Sequence, residues 1–325
     1  MTGEPAVWIL LAKGAGDNNQ LLRLAGELGL PFRALELRYN KLHYLPPRLL
    51  RSSLASLDRG SREQIRGPWP SIVLGIGNRS VPTALAIRRF SGGRARLVRV
   101  GNPRLAPANF DLVVTTGQYR IPQAANVIQL PISINTAPRI DPKPEESEWL
   151  KKLPRPHRLL LIGGNTFMWE LSPDIVASAA TALKERGGSV IAVGSGRTKK
   201  AVIDAVTAAL DGSDCGLVWG SFPCYAVLLA DADEIYVTAD SVAMISDAVA
   251  TGKPVGLVEP EKTLSGRIFY GLSKFGIPVP VRDVHRFWTS VQAKGLAGTV
   301  EKPVAGKLGN DPLEIAIEAL RKLIP

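Results

Sequence analysis

The chain has 325 residues and a formal net charge of +11. Its 45% hydrophobic and 21% charged residues are those of an ordinary soluble globule, which excludes a disordered or fibrous chain. The length exceeds what one average core fills, so two domains are expected.

No apolar run approaches the ~20 residues of a membrane-spanning helix. The opening, Met1-Thr-Gly-Glu-Pro-Ala-Val-Trp-Ile-Leu-Leu, lacks a basic n-region and reads as a first strand, not a signal peptide. Cys215 and Cys224 make neither a disulfide framework nor a zinc pattern, so a reducing, cytoplasmic setting and no metal site are expected. The charge is uneven: residues 1–130 carry 18 Lys/Arg against 7 Asp/Glu, the whole excess, whereas residues 131–325 carry 22 of each. Such asymmetry points to an anionic partner for the first part, and with no zinc finger or RNP-type aromatic motif an anionic membrane surface is favoured over nucleic acid.

In chain order, Val7–Ala12 reads as a buried strand and Lys13–Gln20 as a glycine-containing turn. Leu21, Leu22, Leu24, Ala25 and Leu28 form the apolar stripe of a helix that ends at Gly29. The turn stands at the carboxyl end of the first strand, where open α/β sheets bind ligands. Gly14 and Gly16 allow close backbone approach, and Asp17 is a candidate general base or, equally, a plain helix N-cap. As a dinucleotide fingerprint the stretch fails, because Asn19 stands where the third glycine belongs. Phe32–Leu37 is the second strand. Across residues 38–68, Arg and Lys alternate with Leu, and after Pro46-Pro47 the side chains of Leu50, Leu54 and Leu57 fall on one helical face. Such a basic amphipathic helix is a membrane-surface signature, with Arg48, Arg51, Leu50 and Leu54 as contact residues; the competing reading is a core-facing helix with a solvated basic side.

Further strands are expected at Ser71–Ile76, Arg96–Val100, Asp111–Val114 and Ala125–Leu130, with a helix over Val81–Phe90. Repeated βα units imply a parallel, Rossmann-like sheet. Asn102, Gln118 and Tyr119 are loop residues that could line a cleft. Residues 137–157, rich in proline and without period, read as a linker that leaves His157 exposed. The domains are then 1–136 and 158–310, with a terminal helix over 311–325 assigned to pack back on the first.

The second half repeats one pattern. Arg158–Ile162 leads to Gly163-Gly164-Asn165, Ser189–Val193 to Gly194-Ser-Gly-Arg-Thr198, and Gly216–Trp219 to Phe222–Tyr225. Glu234–Val237 leads to Thr238, Asp240 and Ser241, candidate caps of a helix through Val242, Ile245 and Val249 that Gly252 and Pro254 terminate. A glycine-bearing or capped turn before a helix is receptive to phosphate. Arg197 could add a bidentate contact, or be a solvated loop arginine. Asp247, set among small and apolar residues, needs a partner; ribose hydroxyls, water or Lys253 would serve. Leu264–Phe275 reads as a helix, followed by a proline-containing stretch to Pro280.

Gly163-Gly164, Gly194–Thr198 and Asp240–Pro254 together resemble the donor domain of GT-B glycosyltransferases. Gly14–Gln20 is similar to the acceptor loop of the enzymes that make lipid-linked peptidoglycan precursors and lipid-A disaccharide. Over nearly the whole chain the resemblance is to the bacterial and plant family named for a mitochondrial-fission (elongated mitochondria) factor, carried by the G-x-G-x-x-x-Q opening, the Gly163-Gly-Asn turn and the Asp240-Ser-Val-Ala-Met run. The resemblance implies an α/β fold of two Rossmann-like domains facing a cleft. It implies a nucleoside-diphosphate sugar as donor substrate, with no resident cofactor. Gly163, Gly164, Asn165, Arg197, Asp240, Ser241 and Asp247 would hold that donor. Asp17 would be the base, in an acceptor loop with Gly14, Gly16, Asn19 and Gln20. The expected activity is a metal-independent glycosyltransferase acting on a membrane-associated or cell-envelope acceptor; the alternatives are a nucleotide-sugar epimerase of the same architecture and a non-catalytic membrane adaptor.

Overall fold

A computed structural model of the chain describes residues 6–12, 14–134, 140–212, 215–274 and 282–324. The chain divides into two compact units, Met1–Asn135 with Asn310–Pro325, and Thr136–Gly309.

The first unit runs β1 (Val7–Leu11), α1 (Ala15–Leu28), β2 (Phe32–Glu36), a 3₁₀ turn at Lys41–Tyr44, α2 (Pro47–Leu50), α3 (Arg59–Glu63), β3 (Ile72–Ile76), α4 (Val81–Phe90), β4 (Arg96–Val100), β5 (Leu112–Thr116) and β6 (Val127–Leu130). The sheet order is β2-β1-β3-β4-β5-β6, with every pairing parallel. Such a sheet is covered on both faces, which is why β1 reads as an unbroken apolar run. Val7 and Ile9 enter the core on one face, and Trp8 and Leu10 that on the other.

The second unit runs α5 (Pro144–Lys151), β7 (His157–Ile162), β8 (Trp169–Glu170), α6 (Pro173–Glu185), β9 (Ser189–Gly194), α7 (Lys200–Ala209), β10 (Cys215–Val218), α8 (Tyr225–Asp231), β11 (Glu234–Thr238), α9 (Val242–Ala250), β12 (Val255–Val258), β13 (Glu261–Lys262), α10 (Leu264–Lys274), α11 (Val284–Ala293) and β14 (Gly298–Thr299). Its main sheet, β10-β9-β7-β11-β12-β14, is again parallel, and β8 pairs antiparallel with β13. The last helix, α12 (Pro312–Arg321), belongs to the first unit and contributes Leu313, Ala316, Ile317 and Leu320 to its core beside α1. Both units are thus α/β with Rossmann-like parallel sheets. No helix among the described residues is long and apolar enough to cross a membrane.

Four sequence expectations are corrected. The turn at 13–20 is mostly helix: Gly14 is the N-cap of α1, and Gly16 to Gln20 lie in its first turns; Lys13 lies outside the described residues. Leu22 belongs to the exposed side of α1, not its buried stripe. The basic amphipathic helix does not form, because α2 stops at Leu50 and Arg51 takes a positive φ of 48°. Leu57 is then fully buried in the first unit's core, with Leu54 packed against it, so their hydrophobicity serves the fold. The expected linker contains α5, whose Glu146 carboxylate accepts from the backbone N–H groups of Lys143 at 2.9 Å and Cys224 at 2.7 Å. His157 is buried, with Nδ1 2.6 Å from Asp231 Oδ2 and Nε2 3.0 Å from the Leu153 carbonyl. Residues 137–139 of that stretch lie outside the described residues, as do Phe275 and the stretch to Pro280.

Leu320→Ala removes a fully buried side chain from the seam between α12 and the first sheet. It is expected to lower unfolding free energy by about 2–5 kcal/mol. Denaturant titration checks this, and a loss under about 1 kcal/mol would mean a loosely docked helix.

Candidate functional site

In the second unit the strand order reverses between β7 and β11, each of which runs outward to opposite edges of the sheet. The carboxyl ends of strands at such a reversal form the crevice where open α/β sheets take ligands. The turns after β7, β9 and β11 meet there and are bonded to one another.

The centre of this network is the buried carboxylate of Asp240. Its Oδ2 accepts from the Gly164 N–H at 3.0 Å and from Arg197 Nη2 at 3.2 Å. Its Oδ1 accepts from the Thr238 hydroxyl at 2.8 Å, and that hydroxyl accepts in turn from the Gly163 N–H at 2.8 Å. Burial pushes the Asp240 pKa up, against the donors on Gly164 and Thr238 and the Arg197 charge, which hold it down. Thr198 closes the third side: its Oγ1 accepts from the Ser195 N–H at 2.8 Å and lies 2.7 Å from the Gly163 carbonyl. Asn165 accepts from the Leu171 N–H at 3.0 Å and donates to Glu170 at 2.9 Å, which fixes the outer end of the β7 turn.

Two expectations change with this geometry. The N–H groups of Gly163 and Gly164 were to meet phosphate, but Thr238 and Asp240 already occupy them. Asp240 was a candidate cap and donor-binding residue, yet its oxygens are committed to the turn. The glycines are needed for space: a Cβ on Gly163 would fall on the Asp240 carboxylate, and one on Gly164 on the Arg197 carbonyl. Ser241 is the N-cap of α9 and accepts from the Met244 N–H at 3.5 Å. The guanidinium of Arg197 is half exposed beside this helix start. Asp247, in the second turn of α9, is buried and accepts from the Tyr225 hydroxyl at 3.2 Å. Burial and the neighbouring Asp247 charge push the Tyr225 pKa up. Lys253 donates instead to the carbonyls of Leu229 and Ala230. Tyr225 was read from the sequence only as the end of the Phe222–Tyr225 turn, with no role assigned; its signal was its place at the start of a helix after the β10 turn.

The first unit has its own reversal, between β1 and β3. A cavity there is lined by Gly14, Asp17 and Asn18 of α1, by residues 36–39 after β2, and by Gly77 to Ser80 after β3. Asp17 is exposed in the first turn of α1 and faces this space, whereas Gly16, Asn19 and Gln20 are not among its lining. Asn18, which the sequence reading passed over, pins the β1–α1 turn: Oδ1 accepts from the Ala12 N–H at 2.7 Å and Nδ2 donates to the Ala12 carbonyl at 3.1 Å. Gln118 is buried and donates to the Thr116 hydroxyl at 3.0 Å, so it is a loop brace. Arg48 and Arg51 line a separate shallow groove with Leu85, Arg88, Arg89 and Leu105.

Gly164→Ala is expected to cost about 1–3 kcal/mol through overpacking. Gly163→Ala should cost at least as much, because the buried carboxylate it displaces anchors three turns. Thermal unfolding of both variants checks the order; a clearly smaller loss in Gly163→Ala would show that Asp240 turns aside without losing its donors.

Among solved structures, the chain is similar to a putative UDP-N-acetylglucosamine 2-epimerase from Listeria monocytogenes, at 13% identity and a TM-score of 0.58, covering 98% of this chain and 96% of that one. It is also similar to S. aureus MnaA in a co-structure with UDP, at 12% identity and a TM-score of 0.55, over 99% and 98% of the two chains. Arabidopsis thaliana UGT89C1 complexed with UDP-L-rhamnose matches at 12% identity and a TM-score of 0.55, over 100% and 96%. These likenesses establish the two-domain Rossmann-like fold. No curated protein matches the chain. The family model described as "Mitochondrial fission ELM1" matches residues 15–277, most of the sequence, so the chain belongs to the mitochondrial fission ELM1 family.

Proposed function

We propose that the protein is a nucleotide-sugar-dependent glycosyltransferase whose donor site is the crevice of the second unit. The observation that carries this reading is the convergence of the β7, β9 and β11 turns on Asp240, beside a capped helix start and a buried acid. Ser241 and the first turn of α9 present unpaired N–H groups and the positive end of the helix dipole to a diphosphate. Arg197, braced by Asp240, supplies counter-charge with part of its guanidinium still exposed. Asp247, held by Tyr225, accepts from ribose hydroxyls. Asn165 lies at the rim. Gly163 and Gly164 act by keeping the crevice floor free of side chains.

The chemical step is transfer of the sugar carbon from the diphosphate oxygen to an acceptor hydroxyl. The helix dipole and Arg197 stabilise the charge that builds on the leaving diphosphate, in place of a metal ion. Asp17 takes the acceptor's proton in the first unit's cavity. The acceptor is membrane-associated: Tyr44 and Leu49 are largely exposed next to Arg48 and Arg51, in a half of the chain that holds the whole positive excess.

A second reading, a nucleotide-sugar epimerase, is favoured by the likeness to the Listeria protein. It differs in releasing an epimerised or free sugar with no acceptor present. A third, a non-catalytic membrane-associated adaptor of the mitochondrial-fission-factor type, would keep its role after Asp17→Ala.

UDP is the first nucleotide to test, because it is bound in similar structures. Asp247→Ala is expected to weaken nucleoside-diphosphate binding roughly tenfold, the loss of a charged hydrogen bond. Unchanged affinity by calorimetry would remove its ribose role. Asp17→Asn should lower kcat about 10²–10⁴-fold with donor affinity near normal, the range for a lost general base. Equal turnover would move the base elsewhere. Arg48→Gln with Arg51→Gln should reduce sedimentation with anionic liposomes, and identical binding would disprove the membrane patch.

A further inference from the structure

The first unit buries an arginine that no acid among the described residues balances. Arg99, on β4, is 1% exposed. Its Nε donates to the Gly77 carbonyl at 2.8 Å, and Nη2 to the Ile76 carbonyl at 2.9 Å and the Ser80 hydroxyl at 3.0 Å. Nη1 is buried without a hydrogen-bond partner, packed where a side chain on residue 75 would stand, so only glycine fits there. Among the described residues no carboxylate pairs with Arg99, and Tyr39 is the titratable group that bears on it. Burial, against the pull of Arg99 and Arg79, pushes the Tyr39 phenol up to about 12, so it is neutral near pH 7 and offsets nothing. Burial draws the arginine down to about 9, which leaves it charged. A buried charge without a counter-charge is costly, and removing one partner of such a pair typically costs several kcal/mol.

The arginine is aimed at the inner side of the turn whose outer side lines the cavity. With the Ile76 and Gly77 carbonyls turned toward Arg99, the trans peptide geometry points the N–H groups of Gly77 and Asn78 the opposite way. Successive N–H groups of this kind make an anion-receptive concavity. The start of α4 adjoins it, with no side-chain cap on its N-terminus, and the hydroxyl of its N-cap residue Ser80 accepts from Arg99. Arg79 is exposed on the same turn and forms no ion pair among the described residues. The acids of the cavity stand on other elements: Asp17 on α1, Glu36 at the end of β2, and Asp58, which caps α3 by accepting from the Ser61 N–H at 2.7 Å.

We propose that the Gly77–Ser80 turn is a binding site for a phosphate-type oxyanion, with Arg79 as its direct contact and Arg99 as the positioning residue beneath it. The inference deepens the transferase reading, since it makes the acceptor an anionic molecule, but the site stands without that reading.

The test is calorimetry on the whole protein with inorganic phosphate and a short-chain alkyl phosphate, at constant ionic strength set with chloride. Saturable binding is expected, weakened roughly tenfold in Arg79→Gln, the loss of one charged contact. Gly75→Ala keeps the arginine but forces its guanidinium aside, and should weaken binding while the far-UV spectrum stays native. Any second class of bound phosphate belongs to the nucleotide site of the second unit and should disappear in Arg197→Gln, leaving intact the class that Arg79→Gln weakens. Tighter binding of the ester marks an esterified phosphate and equal binding a free one; both support the site. Affinity that survives Arg79→Gln and Gly75→Ala, or is lost only in Arg197→Gln, overturns the proposal without touching the nucleotide site. The nucleotide reading fails separately, if UDP does not bind while phosphate does.

Discussion

The architecture of the second unit's crevice depends on one buried carboxylate. Asp240 draws a backbone N–H, a hydroxyl and a guanidinium from three different strand-end turns onto its two oxygens. Charge-assisted bonds of this kind are about twice as strong as neutral ones, and a low-dielectric surround strengthens them further. The same burial makes the ionised acid costly, so the arrangement holds only while every donor is in place. The glycines at 163 and 164 follow from it, since any side chain there would displace the acid or the Arg197 backbone.

The two units solve the same topological problem with opposite electrostatics. Each reverses strand order beside its first strand, and each gathers polar turns at that point. In the second unit an acid is buried and one cation, Arg197, comes to it. In the first a cation is buried and is answered, among the described residues, by carbonyls and a hydroxyl.

Much of the fold was legible because parallel strands covered on both faces are continuous apolar runs with glycine or helix caps behind them. Val7–Leu11, Leu159–Ile162 and the run from Glu234 to Val258 announce themselves in that way. The clustering of the β7, β9 and β11 turns was also legible, as the common property of strand ends. What sequence reasoning missed was set by distant partners. Helix α5 is short and proline-led, and depends on Glu146 reaching Cys224 far along the chain. Leu57 has a surface-helix pattern but is captured by the core, because the chain turns at Arg51. The buried Arg99 sits in a strand whose alternating Arg, Leu, Val, Arg, Val offers no hint of which arginine is covered. The glycine N–H groups looked available for phosphate because nothing local reveals that Thr238 and Asp240 reach them.

The return of α12 to the first sheet has a bearing on biogenesis. Its four buried side chains close one face of a layer whose other members were all translated before residue 135. A ribosome releases domains in order, and those completed early ordinarily fold early. Here the leading half emerges with a greasy flank uncovered and must keep it so through the synthesis of the entire trailing half. Vulnerability to proteases and misassociation is therefore concentrated in that interval, and it ends only when the last helix leaves the exit tunnel.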